Sequence, residues 1–131
     1  MALVTGASDG IGKATAEALA ANGFDLVLVA RRKPKPDDVA ADLASKYGVS
    51  AQTMAADLSS ADVVEDLIAR TVKHDIGIAV LAAGFGTSGT LTDVDYRDEQ
   101  NMLRINCETV LRLSQVFGQR MRDRGRGQLV L

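Results

Sequence analysis

Short apolar runs alternate along this chain with longer segments whose apolar residues recur at helical spacing, and this alternation restricts the fold more than any single residue does. The runs are ALVT at 2–5, DLVLVA at 25–30, SAQTMAA at 50–56, IGIAVLAA at 76–83 and GQLVL at 127–131. Strands separated by helices pair in parallel, because a parallel neighbour is reached only through a crossover, and such crossovers are almost always right-handed. The pattern predicts an α/β fold: a doubly wound, Rossmann-like parallel sheet of five strands in one domain spanning residues 1–131.

The intervening segments give the helices and their inner faces. Ile11, Thr15, Ala18, Leu19 and Asn22 share one face of the first helix, and Gly23 stands where a helix-ending glycine belongs. The second follows KPKPDD, repeats Val39, Leu43 and Tyr47 every four residues, and stops at Gly48. Ser59 is placed to cap the third, whose inner positions are Val63, Leu67 and Thr71. A long fourth helix runs from about Asp95 to Asp123 and turns Leu103, Cys107, Val110, Ser114, Phe117 and Met121 inward. GQLVL is apolar to its last residue, where a finished domain commonly shows a turn, a helix or a charged edge, so the chain reads as cut after the fifth strand.

Composition narrows the partners. A formal net charge of -2 supplies no positive field to draw the molecule onto nucleic acid or an anionic membrane. Cys107 is the single cysteine and His74 the single histidine, which rules out an internal disulfide and a Cys/His zinc cluster, so no metal is expected. With no basic and apolar leader and no run approaching the ~20 residues of a membrane span, a soluble, cytoplasmic protein is expected.

The chemistry concentrates in VTGASDGIGKATAEALA, residues 4–20. A nucleoside-triphosphate loop needs Gly, four residues, Gly, Lys, then Ser or Thr; here the window ending in Gly12 and Lys13 begins with Ala7 and is followed by Ala14, so both ends fail. A dinucleotide cradle needs glycine for the turn out of the strand, glycine where backbone nears the pyrophosphate, and glycine where helix meets strand. Gly6, Gly10 and Gly12 can fill those roles, with Ser8 and Ile11 between and beside them. The alternative is a glycine-rich turn that holds nothing. At the end of the second strand an acid would bind the ribose 2'-hydroxyl of NAD and a base the 2'-phosphate of NADP. Ala30, Arg31 and Arg32 stand there, which favours NADP over NAD, because a guanidinium donates two parallel bonds to a phosphate; Lys33 and Lys35 would add positive field. RRKPK could instead be a solvated basic turn. The lack of an acid at this point also argues against an S-adenosylmethionine methyltransferase.

With these residues in view, the chain resembles the short-chain dehydrogenase/reductase family, in its N-terminal, cofactor-binding half. TGASDGIG resembles the family's TGxxxGIG, ADL at 56–58 its adenine-contacting Asp motif, LAAG at 81–84 its NNAG, and Asn106 in RINCETV its helix asparagine. The resemblance implies that Asp57 accepts from the adenine amino group beside Leu58, that Ala82, Ala83 and Gly84 line the nicotinamide ribose, and that Asn106 helps place a water in the proton relay. Leu81 and Ala82 stand where the family pattern has two asparagines bracing neighbouring strands, so that bracing is expected to be lost. A buried asparagine bonding backbone is the plain reading of Asn106, which is expected on the sheet-facing flank, with Cys107 a small core residue. His74 is expected as a surface cation and the arginines at 120, 122, 124 and 126 as a solvated helix end.

The resemblance also implies hydride transfer between a nicotinamide and a carbonyl or alcohol of a small molecule, with a Ser and a Tyr-x-x-x-Lys pair handling the proton. Tyr47 is followed four residues later by Ala51 and Tyr96 by Gln100, so neither makes that pair. The family's residues follow the fifth strand, beyond Leu131, and the 131 residues alone are expected to bind cofactor weakly without turnover. A noncatalytic dinucleotide-binding or sensing module is the alternative, and a fragment that binds nothing a third. Homo-oligomers are expected, since members of the family commonly pair their long helices and an apolar edge strand invites association.

Overall fold

The computed structural model describes residues 1–31 and 35–131, the Lys35 side chain excepted. The order along the chain is β1 (Ala2–Thr5), α1 (Gly10–Ala21), β2 (Leu26–Ala30), α2 (Lys35–Tyr47), β3 (Ala51–Ala55), α3 (Ala61–Arg70) and β4 (Ile78–Leu81). A long helical segment then comprises α4 (Tyr96–Leu103), a π-helical turn (Arg104–Thr109) and α5 (Val110–Asp123), before β5 (Gln128–Val130). The strands form one parallel sheet in the order β3-β2-β1-β4-β5, as the alternation of strand and helix predicts. The expected strands are right in place and slightly long: residues 82 and 83, for example, leave the ladder after Leu81.

β1 and β2 are buried along their whole length because both faces of the sheet are covered. Side chains on a strand alternate between faces, and the two cores follow that period. Ala2, Val4, Leu26 and Leu28 pack under α1 and α2 with Ala16, Ala20, Val39 and Leu43. Leu3, Val27 and Val29 pack on the other side with Leu67 and Ile68 of α3 and Leu113, Phe117 and Met121 of α5.

Two helices are rotated from their expected faces. In α1 the buried residues are Gly12, Ala16 and Ala20, whereas Ile11 is exposed. The helix lies so close to the sheet that only small side chains fit beneath it, and the larger apolar ones sit at its flanks. In the long helix Ile105, Thr109, Leu113, Phe117 and Met121 face inward, while Leu103 and Cys107 are exposed, so Cys107 is not a core residue. The π-helical turn takes in one extra residue per hydrogen-bonded ring and shifts the face upstream of Val110. At α3 the cap is Ser60, with no side-chain cap bond, while Ser59 bonds Asp57 instead.

The arginine-rich helix end is also not simply solvated. Arg120 donates to Thr71 Oγ1 (3.1 Å) and to the Ile68 carbonyl (3.0 Å), and Arg124 bonds both Asp75 and the Ile76 carbonyl. His74 is half-buried with Nε2 enclosed, so its ring does not lie on the open surface as expected. No helix among the described residues is long and apolar enough to cross a membrane.

Candidate functional site

The carboxyl ends of β1, β2 and β4 open into a cavity of about 820 Å³, within the range of small-molecule sites. It lies where the strand order reverses on either side of β1, the position at which open α/β sheets bind ligands. Its floor is the turn from β1 into α1. Gly6 there has φ +67°, and a Cβ on it would come within 2.9 Å of the Ala82 carbonyl oxygen and the Ala83 Cα. A Cβ on Gly12 would lie 2.4 Å from the Gly6 carbonyl oxygen, so helix and strand meet at a distance only glycine permits. Gly10 (φ +53°) faces open space. The three glycines thus differ in kind: two are needed where backbone meets backbone, and one leaves the mouth clear.

The start of α1 points its first-turn amides at this cavity, a positive end suited to an anion. Asp9 is its cap, with Oδ1 accepting from the Gly10 amide at 2.8 Å. Sequence reasoning passed over this acid, though an aspartate directly before a helix start is a recognisable capping signal. Ser8, Ile11, Arg31, Leu58, Ala82, Ala83 and Gly84 line the cavity together with the three glycines. Val29, Ala30, Ala56, Phe85 and Ile105 complete the wall. Arg32, Lys33 and the Lys35 side chain lie outside the described residues.

Asp57 does not line the cavity; its carboxylate turns to Ser59, accepting from the amide (3.1 Å) and the hydroxyl (2.8 Å). The Ser59 amide first, then the Ser59 hydroxyl, hold the Asp57 carboxyl below the usual carboxylate range against a partial desolvation, and Arg31 adds a smaller pull. The charged form is therefore the one the turn is built around.

Thr5 is a second residue the sequence reading missed. Its hydroxyl, buried at the end of β1, donates to the Val80 carbonyl (3.4 Å) and accepts from the Ala83 amide (3.1 Å). Positions 81 and 82 supply no side-chain bracing, as expected of Leu and Ala, but β1 and β4 are braced all the same, from the Thr5 hydroxyl. Leu81 is instead part of the core. Asn106 is also placed differently from the sheet-facing position expected. It is exposed, with Oδ1 accepting from the Phe85 amide (3.2 Å) and Nδ2 donating to the Phe85 carbonyl (2.8 Å), so that its amide pairs with the chain leaving β4 as a neighbouring strand would. A Cβ on Gly84 would come within 2.9 Å of Asn106 Oδ1, which explains a glycine there.

A parallel sheet in this order, a glycine turn at its carboxyl edge and a cleft at the reversal of strand order define the Rossmann-like class. The sequence profile of the family described as short chain dehydrogenase matches residues 1–131, and the chain belongs to that family. It is 37% identical to the very-long-chain 3-oxoacyl-CoA reductase-B of Danio rerio over 98% of this chain and 43% of that protein. The bulky-bulky ketone specific alcohol dehydrogenase from Comamonas testosteroni superposes with a TM-score of 0.93 at 32% identity, covering 98% of this chain and 52% of that one. A short-chain dehydrogenase from Sphingobium yanoikuyae, solved in complex with NADPH, gives 0.93 at 33% identity over 98% and 50%. The chain spans about half the length of these relatives.

Proposed function

We propose that these residues form the cofactor-binding half of an NADP(H)-dependent short-chain oxidoreductase acting on a carbonyl or alcohol group of a small molecule. The observation that carries this reading is the single cleft into which the glycine turn, the start of α1 and Arg31 converge. The NADPH complex of the Sphingobium yanoikuyae protein supports it. Bound there, NADP(H) would supply the hydride, or accept it in the reverse direction. The first-turn amides of α1 would hold the pyrophosphate, and Gly10 leaves the room for it. Arg31, joined by Arg32, would take the 2'-phosphate; Leu58 would flank the adenine, with Asp57 as acceptor once it exchanges a bond to Ser59 for one to the amino group. Backbone at Ala82, Ala83 and Gly84 would border the nicotinamide ribose, held in place by Thr5 and Asn106. In this reading the proton-handling Ser, Tyr and Lys belong to sequence following Leu131, and copies of the chain associate as homo-oligomers.

Titration calorimetry on the full chain tests the cofactor assignment. NADPH is expected to bind saturably and more tightly than NADH, and Arg31→Ala with Arg32→Ala to narrow that preference by about tenfold, as loss of charge-assisted phosphate bonds implies. Absence of saturable NADPH binding would overturn it. A noncatalytic dinucleotide-binding module is the second reading, since the cleft by itself accounts for binding a dinucleotide and not for proton transfer. Ketone-dependent oxidation of NADPH by the protein with its following sequence decides for the enzyme; binding without turnover decides for the module.

A further inference from the structure

The two rims of the cleft are tied to one turn of helix. Asn106 holds Phe85, in the loop after β4, by both backbone groups. Three residues on, Thr109 is buried and donates its Oγ1 hydrogen to the Leu58 carbonyl at 2.7 Å, in the loop after β3. Both residues belong to the π-helical turn Arg104–Thr109. In a regular α-helix positions three apart lie nearly one above the other, whereas the wider π turn spreads them around the axis. Such a turn can reach two separate loops with adjacent side chains.

Leu58 is itself buried and lines the cleft, and the turn beginning at Asp57 is closed by the Ser60 amide donating to the Asp57 carbonyl (3.2 Å). Thr109 therefore holds the same short turn that presents Leu58 and orients the Asp57 carboxylate. Valine here would keep the shape of the side chain but leave the Leu58 carbonyl without this donor.

We propose that Thr109 is a positioning residue for the adenine end of the cleft, and that the π-helical turn is the clasp by which one helix sets the spacing of the adenine and nicotinamide rims. This rests on the cofactor reading above. The test compares wild type, Thr109→Val and Thr109→Ser in the full chain, with 2',5'-ADP probing the adenine end and reduced nicotinamide mononucleotide probing the other. Thr109→Val is expected to weaken 2',5'-ADP about tenfold, the scale of a lost bond to a buried acceptor. It should leave the mononucleotide within about twofold, and Thr109→Ser should recover 2',5'-ADP to within about twofold by restoring the same bond. A general loss of stability would instead weaken both fragments together. Should the valine chain not fold, Thr109→Cys, which keeps a small β-substituent but only a weak donor, gives the same comparison. Unchanged 2',5'-ADP affinity, or equal loss for both fragments, overturns the inference. Failure of wild type to bind NADPH or 2',5'-ADP overturns the cofactor reading, and the inference with it.

Discussion

At residue scale the glycine turn separates steric need from clearance. Gly12→Ala puts a methyl 2.4 Å from a carbonyl oxygen that is backbone and has nowhere to go. The expected cost is at least the upper part of the 1–3 kcal/mol typical of overpacking, about 3 kcal/mol. Gly10→Ala meets no neighbour but must adopt φ +53°, an L-residue penalty of about 1–2 kcal/mol. Urea unfolding of the two variants should rank them in that order; equal losses would show that the helix moves off the sheet at low cost. Asp57 gives a pH dependence. Its carboxyl is held below the usual range in the folded state, so the stabilisation is complete above the unfolded value and disappears as pH falls through the folded one. Asp57→Asn should therefore be less stable than wild type near neutral pH and converge with it in strong acid. A stability gap that persists at the lowest pH at which both chains fold would refute the assignment of charge to this turn.

At the scale of elements, the end of α5 is a bracket for α3. Arg120 reaches the last carbonyls of α3 through Ile68 and also Thr71, and its guanidinium lies 5.3 Å from the centre of the Phe117 ring. Burial first, and then neighbouring Arg124, hold its pKa below the ordinary arginine value, yet it stays charged at any physiological pH. Arg120→Met should cost about 1 kcal/mol, the lower end of a charge-assisted bond because the group is partly exposed. Arg120→Lys should recover less than half, since a single ammonium on a flexible stem replaces a planar fork that spans two acceptors. Chemical denaturation of the three chains measures both. Further along, Arg112 of α5 meets Glu65 of α3 with two parallel bonds of 2.6 and 2.9 Å, so the pair of helices is tied at two levels.

For the whole molecule, the sheet has β3 and β5 as its edges, and β5 is paired on one side only. The homo-oligomer proposal is checked by light scattering: a mass above that of one chain is expected at micromolar concentration, and a monodisperse monomer would remove it. Assayed alone, the chain is expected to bind NADPH without consuming it in the presence of ketones. Measurable turnover would place proton-handling groups within the 131 residues and contradict the proposed division of labour.

The alternation of apolar runs and helical periods sufficed for the parallel sheet, since burial on both faces leaves few other ways to satisfy such a pattern. The glycines of the first turn were legible for a similar local reason: a strand that enters a helix directly over backbone admits no side chain at Gly6 or Gly12. Other features depended on partners distant in sequence. Thr5 reads as the last residue of a strand until β4 comes alongside it, helical spacing puts Asn106 on the sheet-facing flank although it turns to Phe85, and nothing among the neighbours of Thr109 along the chain points to Leu58 as its partner. Local propensity is a property of neighbours along the chain, and hydrogen bonds spanning 21 to 78 residues are not. Sequence alone therefore determined where the cleft is, and only the tertiary structure decided which side chains hold its rims.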